Sequence, residues 1–311
     1  MRLLKYGLLV IMSVFTISNA WCQLEPFQDD DAIVTPNFNR DIIKAKKISH
    51  ITIASFTKPD GAAINDDGII RQYFFDTTGN IMESVCTIKT GANSCDTVTC
   101  KYYYDNNGNI NIKRTKMGDF YDTWYYKWNH DRLKQTEAHV RETSAITPDG
   151  TFKVVSQKVI SADSFAYTEY PKQLQQYTYN EDNKVFQKTI LQYDDNKRFL
   201  SRNSRYAVGW LYSSVDLNYD SKGRIIDYTN TGNLNGDVHQ STSIKYDSLG
   251  KMQEQSIWER GKQRHHIEFM YDNETGLISN KLDRDNEKAT ISILRFNYET
   301  YGVKSDSAVG K

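Results

Sequence analysis

The sequence predicts an all-β fold, an antiparallel meander of consecutive hairpins forming an elongated, twisted or partly curled repeat sheet. Three observations predict it. First, apolar residues alternate with polar ones ahead of a recurring Tyr-Asp pair, as at Leu217 and Tyr219 or at Ile267, Phe269 and Tyr271. Period two puts such residues on one face of a strand. Second, each pair is followed by two or three turn-forming residues, a glycine and an aliphatic residue, which is the grammar of a chain reversal. Third, the chain is rich in Tyr (21) and poor in Pro (5), a composition suited to pleated surfaces. No segment shows an apolar stripe of ordinary helix length with caps at both ends.

The chain opens on different material. Arg2 and Lys5 precede an apolar run from Tyr6 to Ile17, followed by Ser18, Asn19 and Ala20. A basic start, an apolar run too short to span a bilayer and small residues after it mark an export signal over residues 1–20. Cleavage after Ala20 and cleavage after Cys22 both fit. Trp21 precedes Cys22 where a lipoprotein signal needs a small residue, which disfavours lipidation. The expected location is the periplasm, cell surface or exterior, with no transmembrane helix once the signal is removed. Residues 21–40 are polar and aperiodic and read as a flexible lead. Residues 41–311 read as a single repeat-sheet domain whose first strand lies within Ile42–Phe56.

The repeat is clearest towards the C-terminus. Its anchors are Tyr219, Asp220 and Gly223; Tyr246, Asp247 and Gly250; Tyr271, Asp272 and Gly276; and Tyr298 with Gly302. The tyrosines are spaced by 27, 25 and 27 residues. Nearer the start stand Phe75, Asp76 and Gly79, with Phe in the tyrosine place, and then Tyr104, Asp105 and Gly108. In the middle, the stretches Tyr177–Val185 and Tyr193–Phe199 lack the glycine, and Tyr126–Leu133 is a distant copy. The spacing fails between about residues 130 and 175, so anything special is expected there. Each unit of about 26 residues is a hairpin plus its link, in which aspartate bonds a turn amide and glycine takes the positive φ.

These copies resemble the tyrosine–aspartate (YD, Rhs-type) repeat, specifically the loose copies of short secreted proteins from Bacteroidetes-like bacteria. The resemblance runs from about Ile69 to Val303 with a gap in the middle. It implies a β-sheet that coils as a shell in large relatives, sometimes around a toxin, and a link to carbohydrate binding in some. This chain has fewer repeats, a longer period and no separate domain after the last copy, so an open or partly curled sheet is expected.

Composition excludes some functions. The 39 basic and 39 acidic residues cancel and form no basic stripe, so nucleic acid is not an expected partner. Asp76, Asp105, Asp194, Asp220, Asp247 and Asp272 recur at one motif position, which suits turns. A catalytic pair instead needs unlike environments. No nucleophile elbow, phosphate loop or metal-ligand spacing occurs among the motifs, and neither metal nor cofactor is expected. Cys86 and Cys100 would face each other if residues 82–88 and 97–103 form a hairpin, a candidate disulfide in an oxidising compartment.

Aromatic residues off the strict anchor position are the candidate binding surface: Trp124, Tyr125, Trp128, Trp210, Tyr212 and Trp258. Their faces suit stacking on sugar rings. The expected function is thus an exported, non-enzymatic repeat scaffold or binding protein recognising glycan or another cell-envelope protein. An enzyme or accessory hydrolase with a site in a groove of the sheet is one alternative, and an outer-membrane β-barrel is another. An open sheet also has unpaired edges, through which copies would self-associate.

Overall fold

The computed structural model describes residues 24, 38–91, 94–146, 152–234 and 236–302. The signal segment, its cleavage position and most of the lead lie outside these residues. A short helix α1 (Arg40–Ala45) leads into β1 (Ile48–Pro59), β2 (Asn65–Phe75), β3 (Ile81–Lys89), β4 (Cys95–Tyr104) and β5 (Ile110–Met117). Then come β6 (Phe120–Trp128), β7 (Lys134–Ile146), β8 (Phe152–Tyr170), β9 (Gln173–Tyr179), β10 (Val185–Tyr193) and β11 (Phe199–Tyr206). The chain continues through β12 (Tyr212–Tyr219), β13 (Ile225–Gly232), β14 (Val238–Tyr246) and β15 (Met252–Glu259). It ends on β16 (Lys262–Tyr271), β17 (Ile278–Asp285) and β18 (Thr290–Thr300).

Every consecutive pair is antiparallel, as a meander requires, but the sheet is not open. β1 pairs with β2 through Ile51↔Tyr73 and with β18 through Ile51↔Tyr298, so the 18 strands close into a barrel. The expectation of an open or partly curled sheet is corrected. Closure leaves no free edge, which also removes the ground for self-association through sheet edges.

Phe38, near the end of the expected lead, packs into the barrel. Leu24 bridges to Phe38, and Phe38 is buried with its ring edge-on to Tyr73 and Phe75 at 5.0 and 5.4 Å. Asn39 caps α1 by accepting the Ile42 N–H, and Ile43 is fully buried. The first strand therefore starts at Ile48. Together with Ile51, Ile53, Ile244, Ile267, Phe269 and Phe296, these residues fill one side of the lumen.

The repeat builds one rim of the barrel. In each turn the motif carboxylate accepts two backbone amides, as Asp220 does from Lys222 and Arg224, both at 2.9 Å. The anchor tyrosine reaches back to the preceding unit. Tyr104, Tyr219, Tyr246, Tyr271 and Tyr298 donate their hydroxyls to the carbonyls of Ile81, Phe199, Ile225, Met252 and Ile278. Trp128 takes the same role, its indole N–H donating to Ile110 at 2.7 Å. Tyr301, just past β18, donates to the Phe75 carbonyl at the end of β2, carrying the ring of bonds past β1. Arg224 pairs with Asp220 of its own turn at 2.6 Å and lies over the ring of Tyr246 in the next unit, 4.4 Å from its centre.

The copies without glycine keep this geometry at a cost. Arg132, Asn183 and Lys197 adopt φ of 61°, 59° and 61° where glycine would sit. Arg132 and Lys197 each carry a penalty of about 1–2 kcal/mol, and Asn183, whose side chain tolerates the left-handed region, less. At Gly79 the glycine is needed twice, for its φ of 86° and because an added Cβ would meet the Arg40 carbonyl oxygen at 2.5 Å. That contact seats α1 on the rim. The Tyr177–Val185 copy makes its turn at the opposite rim, because Tyr170–Gln173 already closes a tight hairpin at the motif rim. Its Lys172 carbonyl accepts the Tyr193 N–H at 2.9 Å. The motif resumes on its own rim at Tyr193, and the long strands β7 and β8 together with the plain Tyr170–Gln173 turn account for the failed spacing.

The turns make the protein acid-sensitive. Burial opposes ionisation of Asp76 and Asp220, but their turn hydrogen bonds outweigh it and hold both carboxyls below the ordinary aspartate value. A folded pKa below the unfolded one contributes stability above the unfolded value and loses it as pH falls through the folded one. Urea midpoints are expected to stay level from pH 7 to about 5 and to fall below about pH 4. Asp220→Asn should lower the midpoint at pH 7 and shrink that acid-side fall. An unchanged fall would contradict the assignment.

Candidate functional site

The lumen is not filled all round. Against β6–β14 it holds a cavity of about 970 Å³. The reason is the side chains on one lateral row, where Thr189 faces Ser204, Ser204 faces Ser213, and Ser213 faces Gly232. Small residues there leave a space that isoleucine and phenylalanine occupy on the β1 side. Gly232 has no room for a larger residue, since a Cβ would lie 2.8 Å from the Tyr212 carbonyl oxygen.

The walls are polar and aromatic. Gln176, Thr178, Thr189, Ser204, Asn230 and Gln240 supply amides and hydroxyls, while Trp128, Phe165, Tyr167, Tyr193 and Tyr206 supply rings. Thr189 and Ser204 bond each other at 2.9 Å. Thr178 is 2% exposed, and its hydroxyl has no hydrogen-bond partner; the buried Asn230 amide oxygen also has none. Burial raises the pKa of Tyr167 to about 12, so its hydroxyl stays protonated while donating to the Lys134 carbonyl. Arg202, also on the wall, is held below the ordinary arginine value by burial.

The structure separates the six aromatic candidates. Trp128 and Tyr212 line the cavity. Trp210 stands beside it on the β11–β12 loop, 94% exposed. Asn233 holds that loop from both sides, donating to the Trp210 carbonyl at 2.9 Å and accepting the Tyr212 N–H at 2.8 Å. Trp124 faces a neighbouring sector of the lumen, stacked on His139 at 4.4 Å. Trp258 alternates with the lumen residue Ile257 and points outward, and Tyr125 is outward too.

The outward face is largely polar. Lys101, Arg114, Lys188, Asp216, Lys245 and Glu268 alternate with lumen positions on six strands, so among the described residues no continuous apolar belt rings the barrel. The barrel expectation is met in its closed geometry, with charged residues where a lipid-facing band would be apolar. No described helix is long and apolar enough to cross a membrane.

On β5–β7 the outward face also carries a buried ion pair, Arg114 with Glu142 at 2.8 Å. Burial opposes ionisation of Glu142, yet hydrogen bonds from Tyr125, Arg114 and Thr123 outweigh it and hold its carboxyl below the ordinary glutamate value.

The disulfide expectation is corrected. Cys86, Cys95 and Cys100 are free thiols. Both Cys86 and Cys100 face the lumen, but Cys100 pairs with Ser84 and Cys86 with Val98, a two-residue offset. Among the described residues no group of His, Cys, Asp and Glu is arranged to hold a metal ion.

The residues that sequence reading missed are Thr178, Asn230, Asp163 and the row of small side chains. Asp163 falls within the stretch where the repeat spacing fails and Thr178 lies just past it; the others carried no signal in the sequence.

No protein-family model and no curated protein matches the chain. Among solved structures it is similar to a porin-like protein from Bacteroides uniformis, with 10% identity, 81% of this chain and 98% of that one covered, and a TM-score of 0.38. A porin-like protein from Bacteroides vulgatus matches at 10% identity over 70% and 98%, with a TM-score of 0.27. The Photorhabdus luminescens Tc holotoxin pore matches at 10% identity over 71% of this chain and 16% of that one, with a TM-score of 0.21. Scores of this size carry no argument, and the fold stands on strand register.

Proposed function

We propose that this chain is an exported, non-catalytic binding protein of the tyrosine–aspartate repeat type that admits a stretch of glycan into its lumen. One observation carries the reading: the Thr178 hydroxyl and the Asn230 amide oxygen are buried in the cavity wall without partners. An unsatisfied buried polar group costs roughly 1–3 kcal/mol, which a ligand hydroxyl would offset. Tyrosine and tryptophan faces beside them suit the apolar faces of sugar rings, and Trp210 is placed to meet a chain at the rim. The non-catalytic part is supported by the motif aspartates, whose carboxylates are occupied by their own turn amides. Export is supported by the basic and apolar leader in the sequence.

A glycan array followed by titration calorimetry tests this. Ser213→Trp, which projects a large ring into the cavity, is expected to abolish binding. Trp210→Ala should weaken it several-fold, and the outward Trp258→Ala should leave it unchanged. Absence of any glycan signal, or binding indifferent to Ser213→Trp, would overturn the reading. A second reading, capture of a cell-envelope protein, is favoured by the exposed apolar residues at the Trp210 rim, where Val208 and Val155 are 80% and 64% exposed.

A further inference from the structure

Lys134, Glu137 and Asp163 meet on the cavity wall where the repeat fails. Glu137 on β7 and Asp163 on β8 are direct cross-strand partners. Lys134 is ion-paired to Glu137 and lies 5.4 and 5.3 Å from the ring centres of Tyr126 and Phe165. One ammonium among two carboxylates leaves a single negative charge over. Among the described residues Asp163 makes no hydrogen bond or ion pair of its own. Burial and then the neighbouring Glu137 push its carboxyl above the ordinary aspartate value, with Lys134 opposing. An ionised carboxylate in that setting is stabilised by a cation from outside the chain.

A second feature points to a ligand at the same place. Thr178, with its unpartnered hydroxyl, is the cross-strand partner of Phe165, two residues along β8 from Asp163. This patch of wall therefore offers a carboxylate, a hydroxyl and an aromatic face, spaced by one strand and one side-chain repeat. Neutral polysaccharide needs only the last two. An acidic sugar group would meet repulsion at Asp163 itself, Arg132 and Arg202 standing elsewhere on the wall.

We infer that the ligand carries a protonated primary amine that docks on Asp163, so that the favoured glycan is one of amino sugars with free amines. The inference rests on the glycan reading above and names the class of sugar. Asp163 is then the residue that sets specificity, the hydroxyl and amide groups binding the rest of the chain.

Calorimetry on the full chain without its leader would compare three tetrasaccharides: glucosamine, N-acetylglucosamine and cellotetraose. The expected result is at least tenfold tighter binding of the glucosamine chain. Asp163→Asn should bring it down to the level of cellotetraose. The wild-type comparison stands even if that variant folds poorly. Equal affinity for all three sugars would overturn the amine inference and leave the glycan reading intact. Failure of all three to bind would remove both.

Discussion

Arg114→Ala is expected to destabilise the protein by roughly 3–5 kcal/mol, as breaking a buried ion pair from one side does. The Glu142 side chain is 0% exposed and that of Arg114 12%. Removing the guanidinium leaves a carboxylate that water cannot reach, still bonded by Thr123 at 2.7 Å and by Tyr125. Those two hydroxyls hydrogen-bond the charge without neutralising it. The double variant Arg114→Met, Glu142→Leu removes both charges together and should recover most of the loss. Urea denaturation of the three proteins measures this. A loss under about 1 kcal/mol for Arg114→Ala would show that the pair behaves as a surface salt bridge.

Phe75→Ala should cost a similar amount, about 3–5 kcal/mol, for a different reason. Phe75 is 1% exposed and sits where the other copies carry tyrosine. It needs no hydroxyl because its ring packs edge-on against Phe38 rather than reaching back to a preceding turn. Truncation opens a cavity between β2 and the segment that leads into α1, so both the strand and the lumen filling lose contacts. Thermal or urea melts would show the loss, and faster proteolysis near Arg40 would show that the helix loosens with it. By contrast, Trp258→Ala on the outward face should shift stability by no more than about 0.5 kcal/mol. Equal losses for the two would contradict the inward and outward assignments.

Much of the construction was legible in the residues. Alternation before Tyr219, Tyr246, Tyr271 and Tyr298 marks strands, and the aspartate and glycine after them mark turns, because both signals are local. The tyrosine bonds to the preceding unit were not legible. Tyr246 finds the carbonyl of Ile225 across 21 residues, and nothing in the motif says which atom the hydroxyl meets. The burial of Phe38 was not legible for a related reason. Residues 21–40 have no periodicity, yet Phe38 is buried because the lumen offers it Tyr73 and Phe75. The disulfide failed by register. Cys86 and Cys100 share a face, as period two implies, but a two-residue offset depends on the length of the intervening turn.

The sequence by itself determined an antiparallel meander of Tyr-Asp hairpins with its turns stabilised by their own aspartates. Each hairpin is an affair of neighbouring residues, and its hydrogen bonds close over short distances. Only the tertiary structure decided that the sheet is a ring. Closure requires β1 to meet β18, some 250 residues away, and every hairpin is locally the same in an open sheet and a closed one. Closure in turn made an inside. It then fell to the lateral row Thr189, Ser204, Ser213 and Gly232, scattered along the chain and joined only across strands, to leave part of that inside empty.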